Sequence, residues 1–554
     1  MAEVKEYLNT TDSDILDYNL IDNLEEGAKM LIKHISQEDD ILVQVDPDAD
    51  GYCSSAILIN YLNCIFPGFV QTHIIYQLHD DKAHGIVLNS IPETVKMVIA
   101  PDSSSNEENI HKMLYDNGVD VLVIDHHEAE EISQYACIIN NQLCDYPNKS
   151  LCGAGMVYKF CCYLDDLIGC DYANEFLDLT ALALVADMMD LRNLETRHLI
   201  TKGLNNLRNP FFKAMAKKQD FSISKGGGLN PFTIGWYIAP LMNAIVRSGT
   251  INEKTLLFES MIDFKAYEQI VSNKRGVKKG SLEPRVDQSI RTCTNVKNRQ
   301  ERIKETNTKT IEEIINKFDL LSNHKILLIR LDEEHRIDSN LTGLIANQLA
   351  SKYQRPTLIL NYHNNNGIIS WDGSGRNYSF SKIENLKDFL NDTGLMKLAQ
   401  GHQSAFGAGI YDKDIEAFVE KTDKELENIE FNKKYFVDYI FQASDIKTNV
   451  ILDLGSYTQF WGQNIDEPYI TIENIVLKED DIQLIGEKHK TIKFILPNGV
   501  EAITFNGSEE IYEEFQQLAK TNRFNFVGKC RVNDWGGQYK PQLLLEDYST
   551  SFYF

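Results

Sequence analysis

Three acidic clusters each follow a short apolar run: Val45-Asp46-Pro47-Asp48-Ala49-Asp50-Gly51, Ala100-Pro101-Asp102-Ser103 and Ile124-Asp125-His126-His127. Carboxylates and an imidazole brought to the ends of neighbouring strands make a cage for two divalent cations, the equipment of metal-assisted phosphoester hydrolysis. In the first cluster the carboxylates stand at i, i+2 and i+4, so on an extended strand end all three project to one side. Like charges that close stay ionised only with cations between them. Gly51 gives a tight turn into a following helix, whose free N–H groups favour anions. A surface turn rich in Asp accounts for a single Asp-Gly but not for this triplet after an apolar strand. Asp102 alone would read as a helix cap. Asp125-His126-His127 says more, because neighbours at a strand end point different ways: one imidazole can ligate metal while the other faces substrate. Asp187, in Ala186-Asp187-Met188-Met189-Asp190, is a fourth acidic site that by itself reads as a cap or loop residue.

These residues need strands to carry them. From Ile41 to Asp190 short apolar runs alternate with helical patterns: Ile41–Val45 then Ser54–Phe66, Val95–Ala100 then Glu107–Asn117, Val119–Ile124 then Gly155–Leu167. Strands separated by helix-length segments mean βαβ units and a parallel sheet. Ligands of such sheets gather beyond the carboxyl ends of the strands, where the acidic clusters fall. The expected fold class is therefore α/β, with a parallel-sheet catalytic domain over 1–205. A helical connector with a basic stretch follows over 206–318, interrupted at Lys225-Gly226-Gly227-Gly228 and Asn230-Pro231. A second α/β domain is expected over 319–445, with strands at Lys325–Arg330 and Pro356–Leu360 and a helix at Gly343–Tyr353. Over 446–554, strands at Tyr469–Leu477, Ile482–Ile485, Thr491–Leu496, Glu501–Phe505, Asn525–Val532 and Gln542–Leu545, with a helix at Glu510–Lys520, suit a small β-barrel of the oligonucleotide-binding kind.

At 554 residues the chain is too long for one core. With 43% hydrophobic residues and no apolar stretch of about 18 residues, it reads as a globular protein without a membrane span. The first residues lack a signal-peptide pattern, so a cytoplasmic location is expected. Ten cysteines without a Cys-x-x-Cys pair indicate neither a zinc ribbon nor a disulfide framework. The net charge of −26 excludes a protein whose whole surface attracts a polyanion, so any nucleic-acid contact is local. Between Lys274 and Lys309, eleven basic residues (Lys274, Arg275, Lys278, Lys279, Arg285, Arg291, Lys297, Arg299, Arg302, Lys304, Lys309) stand against four acidic ones (Glu283, Asp287, Glu301, Glu305). A solvated helix face and a groove lining for a phosphate backbone compete on even terms there.

Taken together, Asp48-Ala49-Asp50-Gly51, Asp102, Asp125-His126-His127 and Ala186-Asp187 resemble, in order, the four motifs of the DHH phosphoesterase superfamily. The resemblance extends to the RecJ family of single-strand-specific exonucleases through Leu151-Cys152-Gly153-Ala154-Gly155, Asn243-Ala244, Gly373-Ser374-Gly375-Arg376, and Gly401-His402 with Ala405-Phe406-Gly407. Phe460-Trp461-Gly462-Gln463-Asn464, Glu467-Pro468, Ile485-Gly486-Glu487 and Asn533-Asp534-Trp535-Gly536-Gly537 are similar to its C-terminal oligonucleotide-binding domain. The resemblance implies that Asp48, Asp50, Asp102, His126 and Asp187, joined or supported by Asp46, hold two Mn²⁺ or Mg²⁺ ions. It places Asp50, Asp125 and His127 in the catalytic machinery, with His127 approaching the scissile phosphate. Ser374, Gly375, Arg376, Gly401, His402 and Asn243 would bind substrate, the second-domain residues across the cleft from the metals.

The implied activity is hydrolysis of single-stranded DNA to 5′-mononucleotides, 5′-to-3′, in recombination, repair or replication, with a helicase or single-strand-binding protein as partner and no membrane. Three departures bear on direction, because such arginines grip a terminal phosphate. Pro240-Leu241-Met242-Asn243-Ala244 lacks the arginine of the family's Pro-Arg-Ile-Asn-Ala; the arginine expected upstream of His84-Gly85-Ile86-Val87-Leu88 is replaced by Asp81 or Lys82; and Gln400-Gly401 stands for a doubled glycine. Tyr457, Phe460, Trp461 and Trp535 are the barrel aromatics available to stack bases. Two other readings stand beside this one: a DHH phosphodiesterase for short oligonucleotides or cyclic dinucleotides, and a non-catalytic replication or repair scaffold.

Overall fold

A computed structural model describes residues 7, 9–80, 84–129, 132–322, 324–431, 435–486, 490–505, 507–535 and 537–552, with the side chains of 459 and 535 outside that set. The first sheet has five parallel strands, β1 (Asp40–Val45), β2 (Ile74–Leu78), β3 (Val95–Pro101), β4 (Asp120–Asp125) and β5 (Cys137–Asn140), in the spatial order β2-β1-β3-β4-β5. Its central strands are apolar nearly throughout, as strands covered on both faces must be. Ile41, Val43, Val45, Met97 and Ile99 enter one core, while Leu42, Val98, Ala100, Val121 and Val123 enter another on the opposite face.

The helices of this region are α1 (Leu24–Ser36), α2 (Ala49–Ile65), α3 (Glu108–Asp116), α4 (Gly153–Ile168), α5 (Leu177–Ala186) and α6 (Leu194–Leu204). Every residue of α2 from Ala49 to Leu62 is buried, and so is every residue of α5 from Leu177 to Leu184. Such helices carry no polar stripe because protein surrounds them. The strand order reverses between β1 and β3, so the crevice for a ligand opens at the carboxyl ends of those two strands. Phe211, Ile234, Ile245, Phe258 and Cys293 share the first core, so the helical segment after 206 is one body with the sheet. Within it α7 (Ala239–Ser248) packs on α2 and α5.

The connecting segment ends in one unbroken helix of 33 residues, α8 (Arg285–Lys317). Contacts divide the chain into two compact units, 297–436 and the remainder, 1–296 together with 437–554. The smaller unit contains β6 (Leu327–Leu331), α9 (Ser339–Tyr353), β7 (Thr357–Asn365), β8 (Ile368–Arg376), β9 (Leu398–His402) and β10 (Ala405–Tyr411). Its sheet runs β9-β10-β8-β7-β6, with only the β6–β7 pair parallel.

The C-terminal part is a seven-stranded mixed sheet. Its strands are β11 (Tyr439–Gln442), β12 (Tyr469–Ile475), β13 (Ile482–Ile485), β14 (Thr491–Ile495), β15 (Glu501–Thr504), β16 (Asn522–Trp535) and β17 (Gln538–Phe552), ordered β11-β12-β16-β17-β15-β14-β13. Two helices accompany it, α10 (Thr448–Ser456) and α11 (Glu509–Ala519), and Phe494, Phe515, Phe524 and Phe526 form its aromatic centre. No helix among the described residues is long and apolar enough to cross a membrane.

Candidate metal centre

The four motifs converge at the carboxyl edge of the first sheet. Asp46 directly follows β1; Asp48 caps α2, its side chain accepting from Gly51 N at 2.9 Å; Asp50 sits in the first turn of that helix. Asp102 ends β3, its amide donating to Ile124 O at 2.8 Å, with φ +68. His126 and His127 follow β4, and Asp187 closes α5. His126 Nε2 lies 3.1 Å from Asp102 Oδ1, 3.6 Å from Asp187 Oδ2 and 3.7 Å from Asp50 Oδ2.

The protein leaves three polar atoms at the centre of this cluster without a hydrogen bond. Both Asp102 oxygens and His126 Nε2 are buried without any hydrogen-bond partner in the protein, which for charged groups is costly unless a ligand takes them up. Burial and the neighbouring Asp50, Asp48, Asp46 and Asp187 push the Asp102 carboxyl well above its ordinary range. Burial, then Asp50 and Asp48, lift Asp187 to about 8, whereas burial alone leads in holding the His126 imidazole low and neutral, the form that ligates. Donor atoms of Asp46, Asp48 and Asp102, and of Asp50, His126 and Asp187, lie within 4.8 Å of one another. Oxygen-rich donors with one imidazole suit Mn²⁺ or Mg²⁺.

Around these sit residues that aim them. Asp50 accepts from Gly153 N at 2.6 Å and Ala154 N at 2.8 Å, so the N-terminus of α4 fixes its carboxylate. A Cβ on Gly153 would stand 2.5 Å from Asp102 Cβ, so only glycine lets the helix end come this close. Asp125 lies within reach of the cluster, yet its oxygens are already taken: Oδ1 by the amides of His126 and His127 and by His127 Nδ1 at 2.8 Å, Oδ2 by Ser105 N at 3.1 Å. Those bonds let Asp125 orient both histidines. Burial opposes its charge, but His127 and the Ser105 amide prevail and hold its carboxyl well below the usual range; in return its hydrogen bond raises His127 to about 9.

Asp46 is likewise engaged, by His84 Nδ1 at 2.8 Å and Gly85 N at 3.3 Å. His84 is thus placed against the cluster, a contact that the sequence did not disclose. The positions 81 and 82, read as replacing an arginine, lie outside the described residues.

Residues 40–184 match the N-terminal domain of the DHH family and residues 437–547 match the RecJ OB domain. A putative single-strand DNA-specific exonuclease of Bacillus phage SPbeta is 34% identical over 545 residues, covering 98% of this chain and 93% of the relative. The chain belongs to the RecJ family. The single-stranded-DNA-specific exonuclease RecJ of Bacillus subtilis is 25% identical over 568 residues, covering 98% of this chain and 66% of that longer protein. In fold, the crystal structure of RecJ from Thermus thermophilus in complex with Mn²⁺ superposes with a TM-score of 0.70 at 17% identity, covering 96% of this chain and 72% of that one.

The other expected site residues of this RecJ chain fall in two places. Asn243 is half-buried on α7, the helix that packs on α2 and α5, which bear Asp50 and Asp187 at or beside their ends. In the smaller unit, strand register lines up Gly375, Phe406 and Gly401, and beside them Arg376, Ala405 and His402. Ser374 Oγ is 2.8 Å from Thr342 Oγ1 on α9, and Arg376 Nη1 donates to Gly375 O at 2.7 Å. The Arg376 guanidinium occupies the space a Cβ on Gly343 would need, so a glycine in α9 seats it. His402 is exposed at the strand end.

Part of the basic stretch is taken up by ion pairs within the fold. Arg285 pairs with Glu259 at 3.1 Å, Arg291 with Glu283 at 2.6 Å, and Lys297 and Lys304 both with Glu301. Lys274, Arg275, Lys278 and Lys279 stay exposed in the turn joining Gln269–Val271 to Leu282–Pro284. Of the aromatics expected to stack bases, Phe460 is covered by Arg197, whose Cζ stands 4.6 Å from its ring. The side chain of Trp535, and the motif residues Glu487 and Gly536, lie outside the described set.

Proposed function

We propose that this RecJ-family chain is a metal-dependent exonuclease that hydrolyses single-stranded DNA to 5′-mononucleotides, 5′-to-3′, in the cytoplasm, serving recombination, repair or replication beside a helicase or single-strand-binding protein. The observation that carries the chemistry is the buried convergence of Asp102 and His126, three unpartnered donor atoms aimed at one point among further carboxylates. The substrate class rests on family membership and on the RecJ OB domain.

Asp48, Asp50, Asp102, His126 and Asp187 would hold two Mn²⁺ or Mg²⁺ ions, with Asp46 and Asp125 as their supports. Such ions, when bound, supply Lewis acidity that activates water and neutralises charge developing on the attacked phosphate. The chain contributes the rest. Asp125 fixes His127 by Nδ1 and keeps it protonated, leaving Nε2 to donate to a phosphate oxygen. The N-terminus of α4 holds Asp50 in place before substrate arrives, so no reorganisation is needed during reaction. Arg376, with its planar fork of donors, and His402 would grip a substrate phosphate.

The test is incubation with Mn²⁺ and long single strands labelled at either the 5′ or the 3′ end. Early release of labelled mononucleotide from the 5′-labelled strand alone supports the whole reading; early release from the 3′ end reverses the direction. Turnover confined to dinucleotides would replace the exonuclease reading with the short-oligonucleotide one, and binding without any cutting would leave a scaffold.

A further inference from the structure

Asp187 differs from the other candidate ligands in its support. Asp50 and Asp102 lie in or against regular structure, but Asp187 begins the loop 187–193 between α5 and α6. The loop's own bonds secure its two ends: Asp187 N, Met188 N and Met189 N return to carbonyls of α5, and Asn193 caps α6 through Glu195 N and Thr196 N. Met188 takes a left-handed φ of +57 to make the turn. The middle of the loop is secured twice: within the loop, where the Arg192 amide and guanidinium donate to the Asp190 carboxylate, and from elsewhere in the sequence.

That outside support is the segment 457–465 of the C-terminal domain, which belongs to the same compact unit. Leu191 N donates to Gln463 O at 3.2 Å, and the Asp190 carboxylate accepts from the Asn464 side chain. The Leu191 side chain is 3% exposed and lies so close to Gly462 that a Cβ there would overlap its Cδ1. Gly462 has no left-handed backbone to demand a glycine, so contact with Leu191 is the reason for one. Ile465 packs on the first core. Further along, Arg197 of α6 is sandwiched between the rings of Phe460 at 4.6 Å and Tyr7 at 3.8 Å, and the Tyr7 hydroxyl donates to Phe460 O.

We infer that the segment 457–465 is a buttress for the metal centre, with Gly462, Asn464 and Phe460 acting as positioning residues that set where the Asp187 carboxylate stands. The C-terminal domain thereby completes the cation site besides any part it has in holding a strand. The inference rests on the metal reading proposed above. Residues that orient a ligand without touching the ion change metal affinity by about 10–100-fold when removed.

The test is calorimetric titration of Mn²⁺ into full-length wild type, Gly462→Val, Asn464→Gly and the double variant Gly462→Val/Leu191→Ala, with single-strand binding in EDTA measured alongside. Asn464 has a φ of +61, so glycine keeps the backbone while removing the bond to Asp190. The expected result is a loss of Mn²⁺ affinity of about tenfold or more in Gly462→Val, a smaller loss in Asn464→Gly, strand binding in EDTA unchanged in both, and recovery in the double variant, where the shortened residue at 191 makes room. If Gly462→Val does not fold, Asn464→Gly and a Phe460→Leu variant carry the test. Wild type that binds no Mn²⁺ would overturn the metal reading itself. Wild type that binds while the single variants bind equally tightly would overturn the buttress alone, as would weakening that the double variant does not reverse.

Discussion

The two α/β sheets of this chain treat charge in opposite ways. At the carboxyl edge of the first, Asp50, Asp102 and Asp125 are each about 1% exposed, and neither carboxylate oxygen of Asp102 accepts a hydrogen bond. On the second, Ser374 and Arg376 already hydrogen-bond within their own unit and His402 faces solvent. A buried group without a partner is a standing free-energy debt that only a ligand discharges; an exposed one can wait for substrate at little cost. Substitutions in the first sheet should therefore abolish chemistry, whereas those in the second should weaken substrate capture.

The largest effect tests the first half of that contrast. Asp102→Ala is expected to lower single-turnover cleavage with Mn²⁺ by roughly 10³-fold, equivalent to about 4 kcal/mol of barrier, while its metal-free form melts higher than wild type at pH 8 because a repelled carboxylate is gone. A variant that lost activity and stability together would make Asp102 merely structural. Next, Asp125→Asn should cost about 10–100-fold in turnover, since it loosens His127 and the amides of both histidines; unchanged turnover would show that His127 needs no anchor. On the second sheet, Arg376→Ala should raise KM for a single strand by about tenfold or more with kcat moving far less, and Arg376→Lys should recover only part. A fall in kcat as large as that of Asp102→Ala would erase the distinction between the sheets.

The smallest effect is thermal. Asp187 titrates near 8 in the fold and Asp102 well above the usual carboxylate range, both raised first by burial. A raised folded-state pKa favours the native protein while the group is protonated, and that advantage fades as pH rises from about 4 towards 8. Metal-free protein should accordingly lose a few °C of Tm, on the order expected for one or two kcal/mol, between pH 5 and pH 8 in a fluorimetric melt. Mn²⁺ should restore it at pH 8. A flat profile would mean that the cluster is not strained by its own charge.

Much of this was legible in the sequence because the ligands come from strand ends with unbroken apolar runs before them. Ile41–Val45, Val95–Ala100 and Val119–Ile124 appear within a residue of their expected bounds, and so do three of the six C-terminal strands. What escaped was amphipathic or edge structure: β2 is half-buried along its whole length, and β5 and β11 have only four residues each, too few to show a period. β16 and β17 run to 14 and 15 residues, well past their apolar centres, because cross-strand pairing rather than hydrophobicity extends them. In the site, the motifs pointed to the residues that cluster but not to those that hold them in place. The Gly153 and Ala154 amides act through the backbone, His84 comes from a loop, and Leu191 and Gly462 meet only in three dimensions, so although Gly153, His84 and Gly462 lie in segments resembling the family, what they touch could not be read from them. In the basic stretch, the pairing of Arg285 with the distant Glu259 was hidden from the sequence, and that of Arg291 with Glu283 was outweighed by count.

Asp102 has one more consequence. It holds a left-handed φ of +68, a conformation glycine adopts freely and a side-chain-bearing residue tolerates at about 1 kcal/mol or more. Asp102→Gly should thus relax both backbone and charge, making a sturdier protein with no appetite for manganese. With the ligand role proposed for Asp102, a carboxylate at a bend better suited to hydrogen alone would be robustness given up for catalysis. Laboratory selection for heat tolerance without selection for cutting would be expected to erase this residue early.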